Sequence, residues 1–124
     1  MSAFAHPCPC GSATSYDACC GRLHRQEAQA ATPEELMRSR YAAYAVGDLD
    51  HVFRTWHPRT RPHDVAPDAG ITWERLEIVA ASDDEVEFRA HYRTAEGAGV
   101  MHERSRFEQR AGRWFYVDGD VRDA

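Results

Sequence analysis

"EVEFRAHYRT", Glu85–Thr94, alternates without a break. Val86, Phe88, Ala90 and Tyr92 point one way, while Glu87, Arg89, His91 and Arg93 point the other. A strand of that kind covers a core with one face and meets water with the other, as in an antiparallel sheet. Downstream, "VMHERSRFEQR" (Val100–Arg110) and "RWFYVDG" (Arg113–Gly119) read as two further strands. The pair Ala111-Gly112 between them signals a tight hairpin. Upstream, "ITWERLEIVA" (Ile71–Ala80) alternates imperfectly through Trp73, Leu76 and Ile78, and Asp83-Asp84 reads as the turn that follows.

Before the strands come helices. "TPEELMRSRYAAYAVGD" (Thr32–Asp48) starts with Thr32 as N-cap, Pro33 at the first helical position and Glu35 three residues on, a capping box. Leu36, Met37, Tyr41, Tyr44 and Ala45 recur at helical spacing, and Gly47 supplies the stop. "DLDHVFRTWHP" (Asp48–Pro58) predicts a shorter helix capped by Asp48. "RTRPHDVAPDAG" (Arg59–Gly70) is a loop. Two helices followed by an antiparallel meander predict an α+β domain over residues 32–124. Its curved sheet wraps helices and leaves a cavity against its concave face.

The chain has 124 residues, 43% hydrophobic and 28% charged, and a formal charge of −5. That is the balance of one globular domain with at most a small appendage. A net negative charge argues against nucleic-acid or anionic-membrane binding. All 15 basic residues are arginine. "MSAFAHPCP" has neither the basic nor the apolar segment of a signal peptide, and no apolar run is long enough to span a membrane. A soluble protein of the cytosol is the expectation.

All four cysteines fall within "HPCPCGSATSYDACCG", His6–Gly21: Cys8, Cys10, Cys19 and Cys20. A reducing compartment disfavours disulfides, and adjacent or next-but-one cysteines fit disulfide geometry poorly. Two close pairs joined by a short loop suit a tetrahedral metal site. Gly11-Ser12 reads as a turn, Tyr16–Cys20 as a short helix, and Gly21 as its end. His6 and His24 flank the cluster as alternative ligands.

"CPCGS" followed at this spacing by "CCG" resembles the SEC-C motif, the zinc-binding segment at the C-terminus of the bacterial preprotein translocase motor. That resemblance implies one zinc held by Cys8, Cys10, Cys19 and Cys20, within a segment spanning residues 1–25. Where the motif usually has glycine after the Gly-Ser pair, and lysines before the second cysteine pair, this chain has Ala13, Thr14 and Asp17. Taken with "LMRSRYAAY", "TWHP", "HERSRF" and "RWFYVDG", nearly the whole chain resembles the YchJ-type bacterial proteins. These place a SEC-C segment before a nuclear transport factor 2 (NTF2)-like cone. The resemblance implies a fold and a metal and supplies no activity.

The polar groups expected near the cone are Arg38, Arg40, Tyr41, His57, His91, His102, Arg104, Asp118 and Asp120. Tyr41, His57, Arg104 and Asp118 are the set expected to share the cavity, with His57 as the candidate acid/base group at its mouth. Arg38 and Arg40 are expected to pair with Glu34, Glu35 or Asp118. Trp56, Trp73 and Trp114 are expected in the core. No nucleophile motif, P-loop or dinucleotide fingerprint is present. Two function classes follow. One is a zinc-bearing adaptor that docks a protein partner through its knuckle, the reading favoured by the sequence. The other is a pocket protein or acid/base enzyme with a small-molecule ligand in the cone.

Overall fold

The computed structural model describes residues 6–66 and 70–122. The elements run α1 (Cys20–His24), α2 (Pro33–Val46), α3 (Leu49–Arg54), β1 (Thr72–Ala81), β2 (Glu85–Thr94), β3 (Gly97–Arg110) and β4 (Arg113–Arg122). The strands form one antiparallel meander in the order β1-β2-β3-β4.

Local chemistry sets the helix ends. Thr32 Oγ1 accepts the Glu35 N–H at 3.1 Å, Pro33 opens α2, and Gly47 closes it at φ 84°. The capping box is only half made. The Glu35 carboxylate takes the N–H of Ala31 at 2.7 Å, not that of Thr32, and also holds Arg22 at 3.0 Å. Asp48 caps α3 by accepting the His51 N–H.

The irregular alternation of β1 has a structural cause. The register with β2 slips between Trp73 and Arg75 and again between Ile78 and Ala80. Each slip puts an extra residue into β1, so Trp73, Leu76 and Ile78 all reach the same core although their spacing breaks period two. At the other end of the sheet, Ala111 (φ 53°) and Gly112 (φ 79°) make the expected two-residue hairpin turn.

Helix α2 is buried on two sides. Leu36, Met37 and Tyr41 pack with Val86, Phe88, Ala90 and Phe107 into the core under the sheet. Ala42, on another face, packs with Cys8, Cys10 and Cys20 in a separate cluster. After α3 the chain docks on β4: Tyr116 N–H donates to Thr55 O at 2.8 Å and His57 N–H to Tyr116 O at 2.7 Å. That pairing closes the cone beside β4 and carries Trp56 to its wall.

Candidate metal centre and binding cavity

The cysteine segment folds back on itself before it meets α2. Cys8 N–H donates to Thr14 O, and Tyr16 N–H to His6 O, each at 2.8 Å. This hairpin sets Cys8 and Cys10 opposite Cys19 and Cys20. The short helix lies later than its expected place at Tyr16–Cys20: residues 16–19 turn, and α1 begins at Cys20. Gly21 therefore sits inside α1 and does not end it. Its N–H donates to Tyr16 O at 2.8 Å, and a Cβ at this position would stand 2.7 Å from that oxygen. Glycine is needed there for close approach of backbone to backbone.

The four sulfur atoms all lie within 4.8 Å of one another, and none is in a disulfide. Cys10 and Cys19 Sγ are 3.7 Å apart. With metal–sulfur bonds of ~2.3 Å, a tetrahedron of thiolates has edges of roughly 3.8 Å, so the donor set fits a single thiophilic ion. Cys8, Cys10 and Cys20 are buried and Cys19 is partly exposed. The Cys10 thiol is lowered to about 4, first by a hydrogen bond from Cys20, with Ser12 and Cys8 assisting against the effect of burial. Cys20 is pushed up as the other partner of that bond and by burial, and burial also raises Cys8. The thiols of the cluster are thus coupled, with Cys10 the one most inclined to ionise. Arg38 adds a cation beside it, donating to Cys10 O at 2.7 Å and to Glu34 at 3.0 Å.

Neither histidine belongs to the sulfur cluster. His6 is exposed. Both ring nitrogens of His24 are taken: Nε2–H donates to Ser39 O at 2.8 Å, and Nδ1 accepts the Tyr16 hydroxyl at 2.6 Å. His24 is a bolt between the knuckle and α2. Its ring lies 4.5 Å from that of His51, whose Nε2–H donates to Ser39 Oγ at 2.9 Å.

Ala13 carries a cost. It adopts φ 68° at the position where the SEC-C motif usually has glycine. A Cβ in the left-handed region costs roughly 1–2 kcal/mol, partly offset by the greater freedom of glycine in the unfolded chain. Ala13→Gly is expected to stabilise the knuckle by about 0.5–1 kcal/mol, read as a higher urea midpoint for the amide signals of residues 6–25.

The second site is a cavity of about 400 Å³ between α2 and the concave face of the sheet. Of Tyr41, His57, Arg104 and Asp118, the structure brings only Tyr41 to it. Arg104 shares its phase with His102 and Arg106 on the outer face, where it lies 3.6 Å from Glu87 and 3.9 Å from Glu85. Asp118 is also outside, bound to Arg106 at 2.6 Å, with Asp120 on the same guanidinium at 2.9 Å. His57 packs against the Phe115 ring on the far side of β4. Its Nδ1 accepts the Arg59 N–H at 3.0 Å, and Nε2 lies 3.6 Å from Glu108. It fastens the loop after α3, since α3 ends at Arg54, before the "TWHP" stretch. His91 and His102 also lie on the outer face, against Glu77 at 3.3 Å and Glu87 at 2.7 Å.

The cavity wall holds groups outside that set. Glu103 and Ser105 face inward, in phase with Phe107, a signal legible in "HERSRF". Glu103 Oε2 accepts the Ser105 hydroxyl at 2.6 Å and the Tyr116 hydroxyl at 3.2 Å. Gly119 makes room for that carboxylate, since any Cβ there would collide with it. Arg38 pairs with Glu34 as expected, but Arg40 has no carboxylate within 4.0 Å among the described residues. Its Nη1 donates instead to Val52 O at 2.9 Å and Thr55 Oγ1 at 2.8 Å, and its guanidinium lies 4.4 Å from the Tyr116 ring centre and 5.1 Å from that of Trp56. Trp73 and Trp114 pack on the core as expected, and Trp73 also lines the cavity together with Trp56.

A helix-backed antiparallel cone with a cysteine knuckle at its N-terminal side defines an NTF2-like protein of the SEC-C-bearing type. The family model of the YchJ middle NTF2-like domain matches residues 32–119, and the chain belongs to that family, the UPF0225 proteins. It is 49% identical to a UPF0225 protein of Streptomyces coelicolor, over 94% of this chain and 97% of the relative. It is 53% identical to one of Deinococcus radiodurans, over 90% and 87%. Among solved structures, a SEC-C motif-containing protein of Rhodopseudomonas palustris superposes with a TM-score of 0.82 at 36% identity, covering 95% of this chain and all of that one. A SEC-C motif-containing protein of Psychrobacter arcticus, 23% identical, shares the fold at a TM-score of 0.73, over 98% of this chain and 84% of that one. No helix among the described residues is long and apolar enough to cross a membrane.

Proposed function

We propose that the protein is a small-molecule-binding module. The cone cavity takes the ligand, and Cys8, Cys10, Cys19 and Cys20 hold one zinc ion that fastens the N-terminal segment to the back of α2. The observation that carries this reading is the cavity itself: about 400 Å³, walled by Tyr41, Trp56, Trp73 and Tyr92, with Arg40 and Glu103 as charged groups. Apolar walls with a few placed polar groups are the usual build of a ligand site. Four thiolates close the zinc coordination shell, so this zinc supplies folding energy and no open position for chemistry. Thiols kept reduced for zinc suit a reducing compartment such as the cytosol. A second reading, a protein partner at the knuckle, is favoured by a recess of about 270 Å³ where Pro7, Pro9 and Tyr16 meet the half-exposed Val46 at the end of α2.

The test uses 1-aminoanthracene, a neutral fluorescent probe of suitable size. The native protein is expected to bind one equivalent with enhanced probe emission. Ala90→Leu, which adds volume to the cavity wall, is expected to weaken binding at least tenfold while keeping the native circular dichroism. Equal binding by both proteins, or none by the native one, would remove the cavity reading.

A further inference from the structure

We propose that the cavity is selective for a small aromatic carboxylate, seated with its carboxylate on Arg40 and its ring among Tyr41, Trp73 and Tyr92. The inference rests on the cavity reading and names the ligand class.

Charge comes first. Arg40 is only 4% exposed, and its guanidinium lies beside two aromatic rings. Among the described residues its two hydrogen bonds both leave from one nitrogen, Nη1, to a carbonyl and a hydroxyl. Neither acceptor carries a charge, and Glu103 acts on Arg40 only from beyond ion-pair contact, so a buried cation is left without a carboxylate against it. Burial lowers this group only to about 10, so it stays charged at neutral pH. Glu103, the acid among the described residues of the wall, already receives two hydroxyl donors on one oxygen. A ligand carboxylate can meet the free edge of the guanidinium in the two-pronged geometry that carboxylates favour.

Shape comes second. Tyr41 and Trp73 meet edge-to-face at 6.0 Å and 69°, and Trp73 and Tyr92 at 5.7 Å and 70°. This run of tilted rings presents faces and edges to a planar guest, the arrangement in which aromatic groups attract. The Tyr41 hydroxyl makes no hydrogen bond among the described residues and can serve a polar substituent on the ring. The volume, about 400 Å³, is near the low end of the roughly 300–1,000 Å³ of ligand pockets, which suits a compact planar guest.

The test compares three matched probes on the full-length, zinc-loaded chain: 4-methylbenzoate, 4-methylbenzamide and 4-methylbenzylamine. Binding is read by quenching of tryptophan emission, since Trp56 and Trp73 line the cavity, and by ligand-observed NMR. The carboxylate is expected to bind at least tenfold more tightly than the amide, with the amine weakest. Glu103→Gln, which removes the like charge, is expected to tighten the carboxylate several-fold and leave the amide unchanged. Arg40→Lys keeps the charge but loses the fork, and is expected to erase most of the preference. An amide bound as tightly as the carboxylate, or an amine bound best, overturns the proposal and leaves the cavity reading standing. So does failure of all three probes in a protein that takes up 1-aminoanthracene. Failure of all four probes overturns both.

Discussion

Cys10→Ser is expected to strip the protein of zinc and to melt the N-terminal segment while the cone stays folded. Cys10 is fully buried, and its sulfur touches the Cys19 sulfur across the cluster. A serine there leaves three thiolates and an open position. Structural zinc contributes an apparent ~10–16 kcal/mol to segments of this kind, more than the few hydrogen bonds tying this one to α2 can replace. The cone has its own core of Leu36, Met37, Tyr41, Val86, Phe88 and Phe107, which contains no cysteine. The native protein should carry about one zinc per chain by metal analysis, and the variant much less than one. In a two-dimensional amide spectrum, the signals of residues 6–25 should collapse to unfolded positions while those of β2 and β3 stay put. The cone should lose only the links it shares with the knuckle, chiefly His24 to Ser39 O and Arg38 to Cys10 O. Collapse of the β2 and β3 signals as well would show that the knuckle is a wall of the cone. A metal-free native protein would remove the zinc reading.

Acid is expected to destabilise the helical layer through His51. The ring is 2% exposed, donates to Ser39 Oγ through Nε2, and leaves Nδ1 buried without a partner among the described residues. Burial, reinforced by the nearby His24, Arg54 and Arg40, lowers its folded pKa to about 3. In the unfolded chain a histidine titrates near ~6.5. The folded form therefore favours neutral imidazole, and this stability is complete above about pH 6.5. Below that pH the unfolded chain binds a proton that the folded one refuses. Stability falls by up to ~1.4 kcal/mol per pH unit until the folded group itself titrates near 3. The whole window is worth on the order of 4–5 kcal/mol, a large part of a small domain's stability. Protonation within the cysteine cluster also contributes in this range, so the comparison is with His51→Gln. Urea denaturation at pH 7.5 and at pH 5 should show a larger loss for the native chain than for the variant, by about 1–2 kcal/mol. Equal losses would show that His51 is not the group responsible.

Much of the architecture was legible in local pattern. The alternation of Glu85–Thr94, the helix ends at Thr32 and Gly47 and the Ala111-Gly112 turn are each decided by residues within a few positions of one another. Physical chemistry acts at that range through sterics, caps and period, so those elements stand where the sequence places them. The grouping of the four cysteines was legible for the same reason, because two close pairs on one short loop have few other places to meet.

The cavity was not legible in the same way. The period of two along β3 puts Arg104 in phase with His102 and Arg106, but which phase faces the helices depends on the whole sheet. Phe107 is buried, so its phase faces inward and takes Glu103 and Ser105 with it. His57 was expected at the cone's mouth, but the chain after α3 pairs with β4, and that long-range pairing turns its ring to the outer side. The same pairing brings Trp56 and Tyr116 together against Arg40, residues far apart in the chain that meet only when the sheet closes on α2 and α3. By itself the sequence determined the elements, their order and the cysteine centre, all local in origin. Which face of each strand lines the cone, and which charges it encloses, was decided by tertiary structure, because burial is a property of the assembled layers and not of any one segment.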